Sequence, residues 1–239
     1  MTPVHYIGQE LDVFAHATNW KKYWSSEVRP YLTGDVLEVG AGLGANTEFL
    51  KTRRSSSWTC LEPDPELARR MRISFMTQPR VGGCRVETGT TETLGFDRRF
   101  DAIIYIDVLE HIEKDREELA RASRLLRRGG KIIVLAPAHQ WLYTPYDRAI
   151  GHFRRYNRSS LRACSPSDCE IVRLAYLDSV GILASMSNRL FLRQAAPELK
   201  QIVFWDRVLV PPSRLLDRVT LHMVGKSILG IWRKGSGTV

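Results

Sequence analysis

Residues 35–44 read DVLEVGAGLG, an apolar run that predicts a buried strand followed by a loop with glycine at alternate positions. Gly40, Gly42 and Gly44 would let the backbone approach a ligand that a Cβ atom would exclude. A helix is predicted to begin near residue 46, and the first turn of a helix offers free N–H groups. The stretch therefore predicts a nucleotide-like ligand.

Outward from this loop, short apolar strands alternate with amphipathic helices. We predict strands at 35–40, 58–62, 84–88, 100–107, 130–137, 170–177 and 227–232, and helices near 46–53, 65–76 and 113–127. Such alternation, with fully apolar stretches such as residues 132–135, is typical of a parallel sheet covered on both faces. The pattern predicts an α/β doubly wound fold.

Two classes of cofactor fit the glycine loop, because its spacing also matches the loose dinucleotide fingerprint G-x-G-x-x-G/A. Glu62, which ends the second strand, could accept hydrogen bonds from a ribose diol in either class. Two other acids favour a cationic ligand: Glu38 lies two positions before the first glycine, and Asp107 ends the fourth strand. The carboxyl ends of parallel strands form the ligand edge of such sheets, so these acids would suit a cofactor that carries an ammonium and a sulfonium.

Four stretches together, VLEVGAGLGANT, CLEPDPELARRM, FDAIIYIDVLEHI and LLRRGGKIIVLAPA, resemble the successive motifs of class I S-adenosylmethionine-dependent methyltransferases. The resemblance covers residues 35–137 and implies a mostly parallel, seven-stranded sheet. It also implies S-adenosyl-L-methionine as cofactor, S-adenosyl-L-homocysteine as product, and in-line displacement at the sulfonium methyl without a metal.

The resemblance also implies roles for residues along the ligand edge. The amino-acid part of the cofactor would be held by Glu38 and the loop, the ribose hydroxyls by Glu62, and the methionine end by Asp107, while Pro63 would pack by the adenine. Many family members carry an acid where Thr90 stands, so the adenine contact would fall to the hydroxyl or backbone of Thr90 or Thr91. The expected cofactor residues are Glu38, Gly40, Ala41, Gly42, Gly44, Glu62, Pro63, Thr90, Thr91, Asp107 and Trp20.

Catalysis in this scheme comes mostly from positioning of the two reactants. Where the acceptor is a hydroxyl, a base also removes its proton. We expect His111, His152 and Tyr156 as catalytic candidates, because His111 follows Asp107 closely and the other two lie in the run GHFRRY. Each could instead be structural, as a histidine at a helix start or in a solvated basic turn. The expected substrate contacts are Tyr6, Tyr23, His139, Tyr143, Tyr146, Arg154 and Arg155.

Two segments flank the motif-bearing core in the expected division of one continuous domain. Residues 1–34 are predicted as an aromatic-rich helical cap, residues 35–137 as the cofactor-binding core, and residues 138–239 as a substrate-facing loop, a helical insertion and the final strands. Trp20 and Trp24 share a helix face, which favours core packing. The insertion, residues 181–224, has apolar faces interspersed with arginines and is either a lid packed on the sheet or a surface for a membrane or a lipidic substrate.

The distribution of charge indicates what kind of partner the protein binds. The 239 residues carry a net charge of +9, and most of this charge lies in residues 147–239, which hold 15 basic and 7 acidic residues. Charge confined to one segment suggests a local role, and we expect an anionic acceptor or surface there. The four cysteines show no metal-binding spacing, and no basic leader or apolar run of about 20 residues is found, so a cytoplasmic protein is expected.

The leading hypothesis is therefore methyl transfer to the O, N or C atom of a small-molecule acceptor, and the alternative is a lipid-linked or quinone-like membrane substrate. A nucleic-acid substrate is disfavoured, because DNA amino-methylating enzymes place an Asn/Asp-Pro-Pro-aromatic tetrad where this chain has Asp107-Val108-Leu109-Glu110. An NAD-dependent dehydrogenase and a catalytically idle cofactor-binding module remain as alternatives of other classes. The oligomeric state is left open.

Overall fold

The computed structural model describes residues 14–187 and 198–235, and within them the sheet has seven strands. Its order is β3-β2-β1-β4-β5-β7-β6; β1 to β5 are parallel, and β7 runs antiparallel to both of its neighbours. The predicted doubly wound fold is confirmed. The strands are β1 (Gly34–Val39), β2 (Ser55–Glu62), β3 (Arg85–Thr88), β4 (Phe100–Ile106), β5 (Leu126–Pro137), β6 (Cys169–Leu177) and β7 (Ser227–Lys234).

Helices cover both faces of the sheet. A π-helical turn, Trp205–Leu209, separates α8 from α9, and short 3-10 turns follow several strands. The α-helices are α1 (Thr18–Val28), α2 (Thr47–Leu50), α3 (Pro65–Thr77), α4 (Asp115–Leu125), α5 (Pro145–Ala149), α6 (Arg158–Arg162), α7 (Ser179–Ser187), α8 (Leu199–Phe204) and α9 (Val210–Val219).

Burial on both faces explains why the central strands are continuously apolar. Along β5, residues 132–135 are all fully buried, and alternate side chains join the hydrophobic clusters on opposite faces. Each fully buried side chain of this size contributes roughly 1.5–3 kcal/mol through removal of apolar surface from water. The sheet is thus a rigid platform whose strand ends can hold side chains in fixed positions.

Two predicted boundaries were wrong. The helix expected near 46–53 is the single turn α2, because Lys51 already has extended backbone, with φ −60° and ψ 129°. β5 begins at Leu126 rather than at residue 130, since the chain leaves α4 directly into extended backbone. The glycine at 129, with φ +76°, then takes up an irregularity in the pairing between β4 and β5.

Buried aspartates join the N-terminal cap to the insertion. Asp206 caps α1 from a distance of 187 residues in sequence, since its carboxylate accepts hydrogen bonds from the backbone N–H groups of Asn19 (3.1 Å) and Trp20 (2.8 Å). Asp178 accepts hydrogen bonds from Trp205 Nε1 (2.7 Å) and Ser213 Oγ (2.6 Å). The described parts of the cap and the insertion are therefore packed on the sheet as one hydrogen-bonded layer.

Candidate functional site

The loop after β1 lies at the carboxyl edge of the parallel strands and has left-handed backbone at all three glycines, with φ values of +65°, +58° and +76°. A Cβ atom on Gly40 would lie 2.6 Å from Val108 Cγ2, and one on Gly44 would lie 2.5 Å from the Phe75 ring. Side chains at these positions would therefore collide with the cleft wall and with α3. The loop is a cradle that only glycine can form.

Glu38 lies beneath this cradle. Its Oε2 accepts hydrogen bonds from Thr47 Oγ1 (2.8 Å) and Trp58 Nε1 (2.9 Å), and the side chain is buried. Burial raises the pKa of Glu38 to about 7. In these contacts Glu38 anchors the first turn of α2 to β2, so it supports the loop from within the core.

Glu62, at the end of β2, links the glycine loop to the start of α3. Its Oε2 accepts a hydrogen bond from the backbone N–H of Gly42 (2.7 Å), and its Oε1 accepts one from the backbone N–H of Asp64 (2.9 Å). Burial raises the pKa of this carboxyl despite both donors. Each oxygen keeps a second lone pair, as the expected contact with a ribose diol requires. Ala41 is buried beside it, and Pro63 is half-buried.

The two threonines after β3 differ in their contacts. Thr91 Oγ1 donates a hydrogen bond to Glu118 Oε2 (2.7 Å) and so is directed away from the cleft. Thr90 Oγ1 is buried and has no hydrogen-bond partner within residues 14–187 and 198–235. A buried hydroxyl without a partner is uncommon, so Thr90 is the better candidate for the adenine edge.

Non-glycine residues with left-handed backbone follow three strands that run in the same direction in the sheet. Asp107 follows β4 (φ +54°), His139 follows β5 (φ +66°) and Asp178 follows β6 (φ +64°). This conformation is costly for residues with a Cβ atom, and it persists where surrounding structure imposes it, often at functional sites. The strand ends β4, β5 and β6 therefore extend the candidate site from the cradle across the sheet.

Asp107 faces the open cleft, and its side chain is exposed. The protein atoms around the cleft desolvate its carboxyl and raise its pKa to about 6, while the nearby His152 and Lys226 act in the opposite direction. Its backbone N–H donates to the Leu135 carbonyl (2.8 Å), which fixes the turn after β4. The residue is placed as expected for one that contacts a ligand at the sheet edge.

Two histidines meet beside Asp107. The rings of His111 and His152 are edge to face, with centroids 4.5 Å apart. His152 Nδ1 lies 3.0 Å from Asp147 Oδ1, and Tyr143 donates its hydroxyl to the His152 carbonyl (2.6 Å). Burial, followed by the field of His152, lowers the pKa of His111 to about 4. The structure thus brings together two of the three expected catalytic residues and one of the expected substrate contacts.

Asp147 and Glu110, which sequence reasoning did not single out, complete this cluster. Asp147 binds Arg155 in a bidentate ion pair (2.8 and 2.9 Å). Burial alone would raise the pKa of Asp147, but the hydrogen bonds from His152 and Arg155 hold this pKa well below its ordinary value. Glu110 is fully buried, and neither carboxylate oxygen has a hydrogen-bond partner in the described chain. His152 Nε2 lies 3.9 Å from Glu110 Oε1.

Tyr156 does not suit a catalytic role, which corrects the expectation. Its side chain is 1% exposed, and its hydroxyl donates to Asp115 Oδ2 (2.8 Å). Burial and this bond raise its pKa far above the ordinary value. Tyr23 is corrected for the same reason as a substrate contact, because it is 2% exposed and donates to Asp217 Oδ2 (2.6 Å).

Arg154 and Arg155 are engaged in internal ion pairs rather than left open for an anionic substrate. Arg154 Nη1 lies 2.7 Å from Asp115 Oδ2, and its Nη2 donates to the Glu113 carbonyl (2.8 Å). Arg155 is held by Asp147. Direct anion binding by either would require these pairs to break, so their position favours a structural role around the histidines.

The remaining expected residues lie around the cleft or outside the described chain. His139 stacks on Tyr176, with centroids 4.8 Å apart, and its Nε2 lies 3.0 Å from the Gly225 carbonyl. Trp20 is buried, with its ring 5.7 Å from that of Trp205. Tyr146 is half-buried in α5. Tyr6 falls outside the described residues.

Lys226 was also missed, and no sequence signal marks it. It precedes β7, and its Nζ lies 3.7 Å from Asp178 Oδ2 and 3.6 Å from the centroid of the Trp205 ring. Burial lowers its pKa, against the fields of Asp178 and Asp107. Only the antiparallel return of β7 brings this cation to the same edge as Asp107.

Comparisons with known proteins agree with this arrangement. A protein-family model described as a methyltransferase domain matches residues 37–134. A search of curated proteins gives no match. Among residues 14–187 and 198–235, no helix combines the length and apolar character that a bilayer crossing requires.

The solved structures that are similar to this chain have low sequence identity to it, so the similarity concerns the fold alone. An S-adenosylmethionine-dependent methyltransferase from Clostridium acetobutylicum has a TM-score of 0.58 at 11% identity, covering 92% of both chains. The N-methyltransferase NodS from Bradyrhizobium japonicum, in complex with S-adenosyl-L-homocysteine, has a TM-score of 0.54 at 14% identity, covering 92% of this chain and 85% of that one. The [4+2]-cyclase SpnF has a TM-score of 0.60 at 15% identity, covering 96% and 95%.

The family match spans the glycine cradle, Glu62, Thr90 and Asp107, and the sheet places these residues along one edge. The orphaned Thr90 hydroxyl and the glycine-only loop both fit a nucleoside-containing ligand there. The dehydrogenase interpretation is therefore set aside: residues 37–134 match a methyltransferase domain, and the chain has the fold of S-adenosylmethionine-dependent methyltransferases.

Proposed function

We propose that this enzyme methylates a small-molecule acceptor at the edge formed by Asp107, His111 and His152. When bound, S-adenosylmethionine supplies an electrophilic methyl group on its sulfonium. The glycine cradle and Glu62 would hold its amino-acid and ribose parts, and Thr90 the adenine edge. The observation that carries the proposal is the Asp147–His152 pair beside Asp107, because it supplies an oriented base at the end of the cradle.

His152 is the residue that we propose to accept the acceptor's proton where the nucleophile is a hydroxyl. With Nδ1 donating to Asp147, the lone pair of the neutral ring is on Nε2. Asp147 is itself fixed by Arg155, so rotation of the His152 ring would cost its hydrogen bond to an immobile carboxylate. A base fixed in this way contributes about 10²–10⁴ to the rate, and the remainder comes from alignment of the reactants.

His111 has a different place in this proposal. Its pKa of about 4 keeps the ring neutral near pH 7, and its contact with the edge of His152 limits the space in which an acceptor can bind. Methyl displacement needs no metal in this scheme. A catalytically idle module that binds the cofactor remains the competing hypothesis.

The experiment has a binding step and a transfer step. Isothermal titration should show S-adenosylhomocysteine binding and no comparable binding of NAD; the reverse would contradict the proposal. Transfer from methyl-labelled S-adenosylmethionine is then measured over a panel of phenols, amines and acidic carbonyl compounds. With a hydroxyl acceptor, His152→Ala should lower kcat at least 100-fold and leave S-adenosylhomocysteine affinity unchanged.

Controls separate catalysis from binding. His16→Ala changes an exposed histidine in the cap and should retain full transfer activity. Cofactor binding without transfer to any acceptor would support the idle module, and full activity of His152→Ala on a hydroxyl acceptor would exclude His152 as the base.

A further inference from the structure

Most apolar side chains of α9 are exposed to solvent, which is the reverse of what a helix packed on a core normally shows. Val210, Ser213 and Asp217 are its buried residues, whereas Leu215 is 69% and Val219 is 72% exposed. Positions 215 and 219 lie on the side of the helix opposite 210, 213 and 217, and position 216 lies between the two sides, as 3.6 residues per turn requires. The helix buries polar groups and presents leucine and valine to solvent.

The buried polar groups explain how this orientation is stable. Asp217 accepts hydrogen bonds from Tyr23 Oη (2.6 Å) and from the backbone N–H groups of Asp178 (2.6 Å) and Ser179 (2.9 Å). Ser213 donates to Asp178 (2.6 Å). These bonds fix the rotation of α9 about its axis, so the exposure of its apolar side is built into the fold.

The exposed surface continues on either side of α9. Of the 17 large hydrophobic residues that are exposed in the described chain, nine lie within residues 199–224 and two more lie on α7, which packs against α9. We call the part on α7, on α9 and in the turn after α9 the outer face. It comprises Leu183, Met186, Leu215, Leu216, Val219, Leu221, Met223 and Val224.

Charge at this surface is of one sign. Arg207, Arg214 and Arg218 are exposed, and none forms an ion pair within residues 14–187 and 198–235. The two acids of the same stretch, Asp206 and Asp217, are buried. An apolar strip bordered by arginines, with its acids withdrawn into the core, is the pattern of helices that lie in the interface of an anionic bilayer.

The outer face is also connected to the candidate site. Ser213, on the inner side of α9, bonds to Asp178, which follows β6 at the ligand edge and lies 3.7 Å from Lys226 Nζ. The same layer packs on the cap over the sheet. The outer face is thus carried by the same helix whose inner side bonds to the ligand edge.

We propose that the outer face docks on an anionic lipid bilayer and that the acceptor is drawn from that membrane. The partner is the bilayer surface itself, recognised by apolar insertion and by phosphate-bearing headgroups. The claim that the acceptor comes from the membrane rests on the proposed function. The claim that the outer face docks on the bilayer does not depend on that function.

The test is co-sedimentation of the full chain with vesicles of phosphatidylcholine alone and with 30% phosphatidylglycerol. We expect binding to the anionic vesicles that weakens as salt rises, because charges at a membrane surface are screened. The double variant Leu215→Ser/Val219→Ser should lose at least tenfold in partitioning. Arg214→Gln/Arg218→Gln should lose about thirtyfold, at about 1 kcal/mol for each charge.

Met76→Ser is the matched control, since it removes an 83% exposed hydrophobic side chain from the end of α3, outside the outer face. It should bind vesicles as the parent does. Circular dichroism and S-adenosylhomocysteine affinity check that each variant is folded, and they also report a failure of the proposed function separately from a failure of docking.

Absence of vesicle binding by the folded parent would overturn the proposal. So would equal binding by the parent and the Leu215→Ser/Val219→Ser variant. A parent that is dimeric in solution, and that becomes monomeric in this variant without any vesicle binding, would assign the outer face to a second copy of the chain instead.

Discussion

Replacing Glu38 with glutamine should remove a specific part of the pH dependence of stability. Burial raises the folded-state pKa of Glu38 to about 7, against an ordinary value near 4.5. The folded state therefore binds this proton more tightly than the unfolded chain, and the stability that it gives is complete below pH 4.5 and lost as pH rises through 7. Linkage gives a loss of about 2–3 kcal/mol between pH 5 and pH 8.

The measurement is the free energy of unfolding from urea titrations at pH 5, 6, 7 and 8 for the parent and Glu38→Gln. The amide oxygen can still accept from Thr47 and Trp58, and titrations elsewhere cancel in the difference between the two proteins. The parent should lose about 2–3 kcal/mol relative to the variant over this range. Glu66→Gln is the control; its exposed carboxyl has a pKa lowered by the bond from Arg69, so its small effect has the opposite sign.

A flat difference between pH 5 and pH 8 would refute the reasoning. It would mean that Glu38 stays ionised when buried, and that a positive group compensates it beyond the two donors seen here.

Four further outcomes are expected. Gly42→Val should lower S-adenosylhomocysteine affinity at least 100-fold with an unchanged far-UV spectrum, because Gly42 has φ +58° and donates its N–H to Glu62; normal binding would contradict the assignment of the cradle. Asp147→Asn should lower kcat about 10- to 100-fold with little change in cofactor affinity, through loss of orientation of the base; an unchanged kcat would exclude that role. Tyr23→Phe should cost about 1–2 kcal/mol of unfolding free energy and leave turnover intact, since its hydroxyl serves only a buried bond. Treatment with EDTA should not change activity; a loss restored by Zn²⁺ or Mn²⁺ would instead indicate an ion at the cluster around Glu110, where three side-chain ligand atoms lie within 4.8 Å of one another.

Hydrophobic pattern was sufficient to predict the sheet, because both faces of its parallel strands are buried. Residues 132–135 have no polar member, and such a run has few other places in a soluble fold. The glycine loop was predictable for a related reason, since the left-handed backbone at Gly40 and Gly44 leaves no room for a Cβ atom. Both signals are local and steric.

The pairing of charges was not predictable, because it depends on contacts between distant segments. Tyr156 and Arg154 both meet Asp115, which is about 40 residues away in sequence, and this places them beside the histidine cluster rather than in it. Asp147 could not be assigned either, since nothing in its local sequence shows that a loop will bring His152 and Arg155 to its carboxylate.

The orientation of α9 was not predictable either, because it also depends on contacts between distant segments. Helical spacing places residues 215 and 219 on one face, but an apolar face is normally assigned to the core. The bonds of Asp217 and Ser213 reverse that assignment, and both partners lie in parts of the chain that sequence periodicity does not connect.

The left-handed backbone at Asp107 has a consequence for attempts to make this enzyme more heat-resistant. At Asp178 the hydrogen bonds from Trp205 and Ser213 offset the strain. At Asp107 no hydrogen bond to the carboxylate is seen within the described ranges, and its ionisation is disfavoured as well. A selection for thermal tolerance should therefore recover glycine at this position, with a gain on the order of 1 kcal/mol. The surviving enzymes would have lost the contact that we expect between the Asp107 side chain and the cofactor.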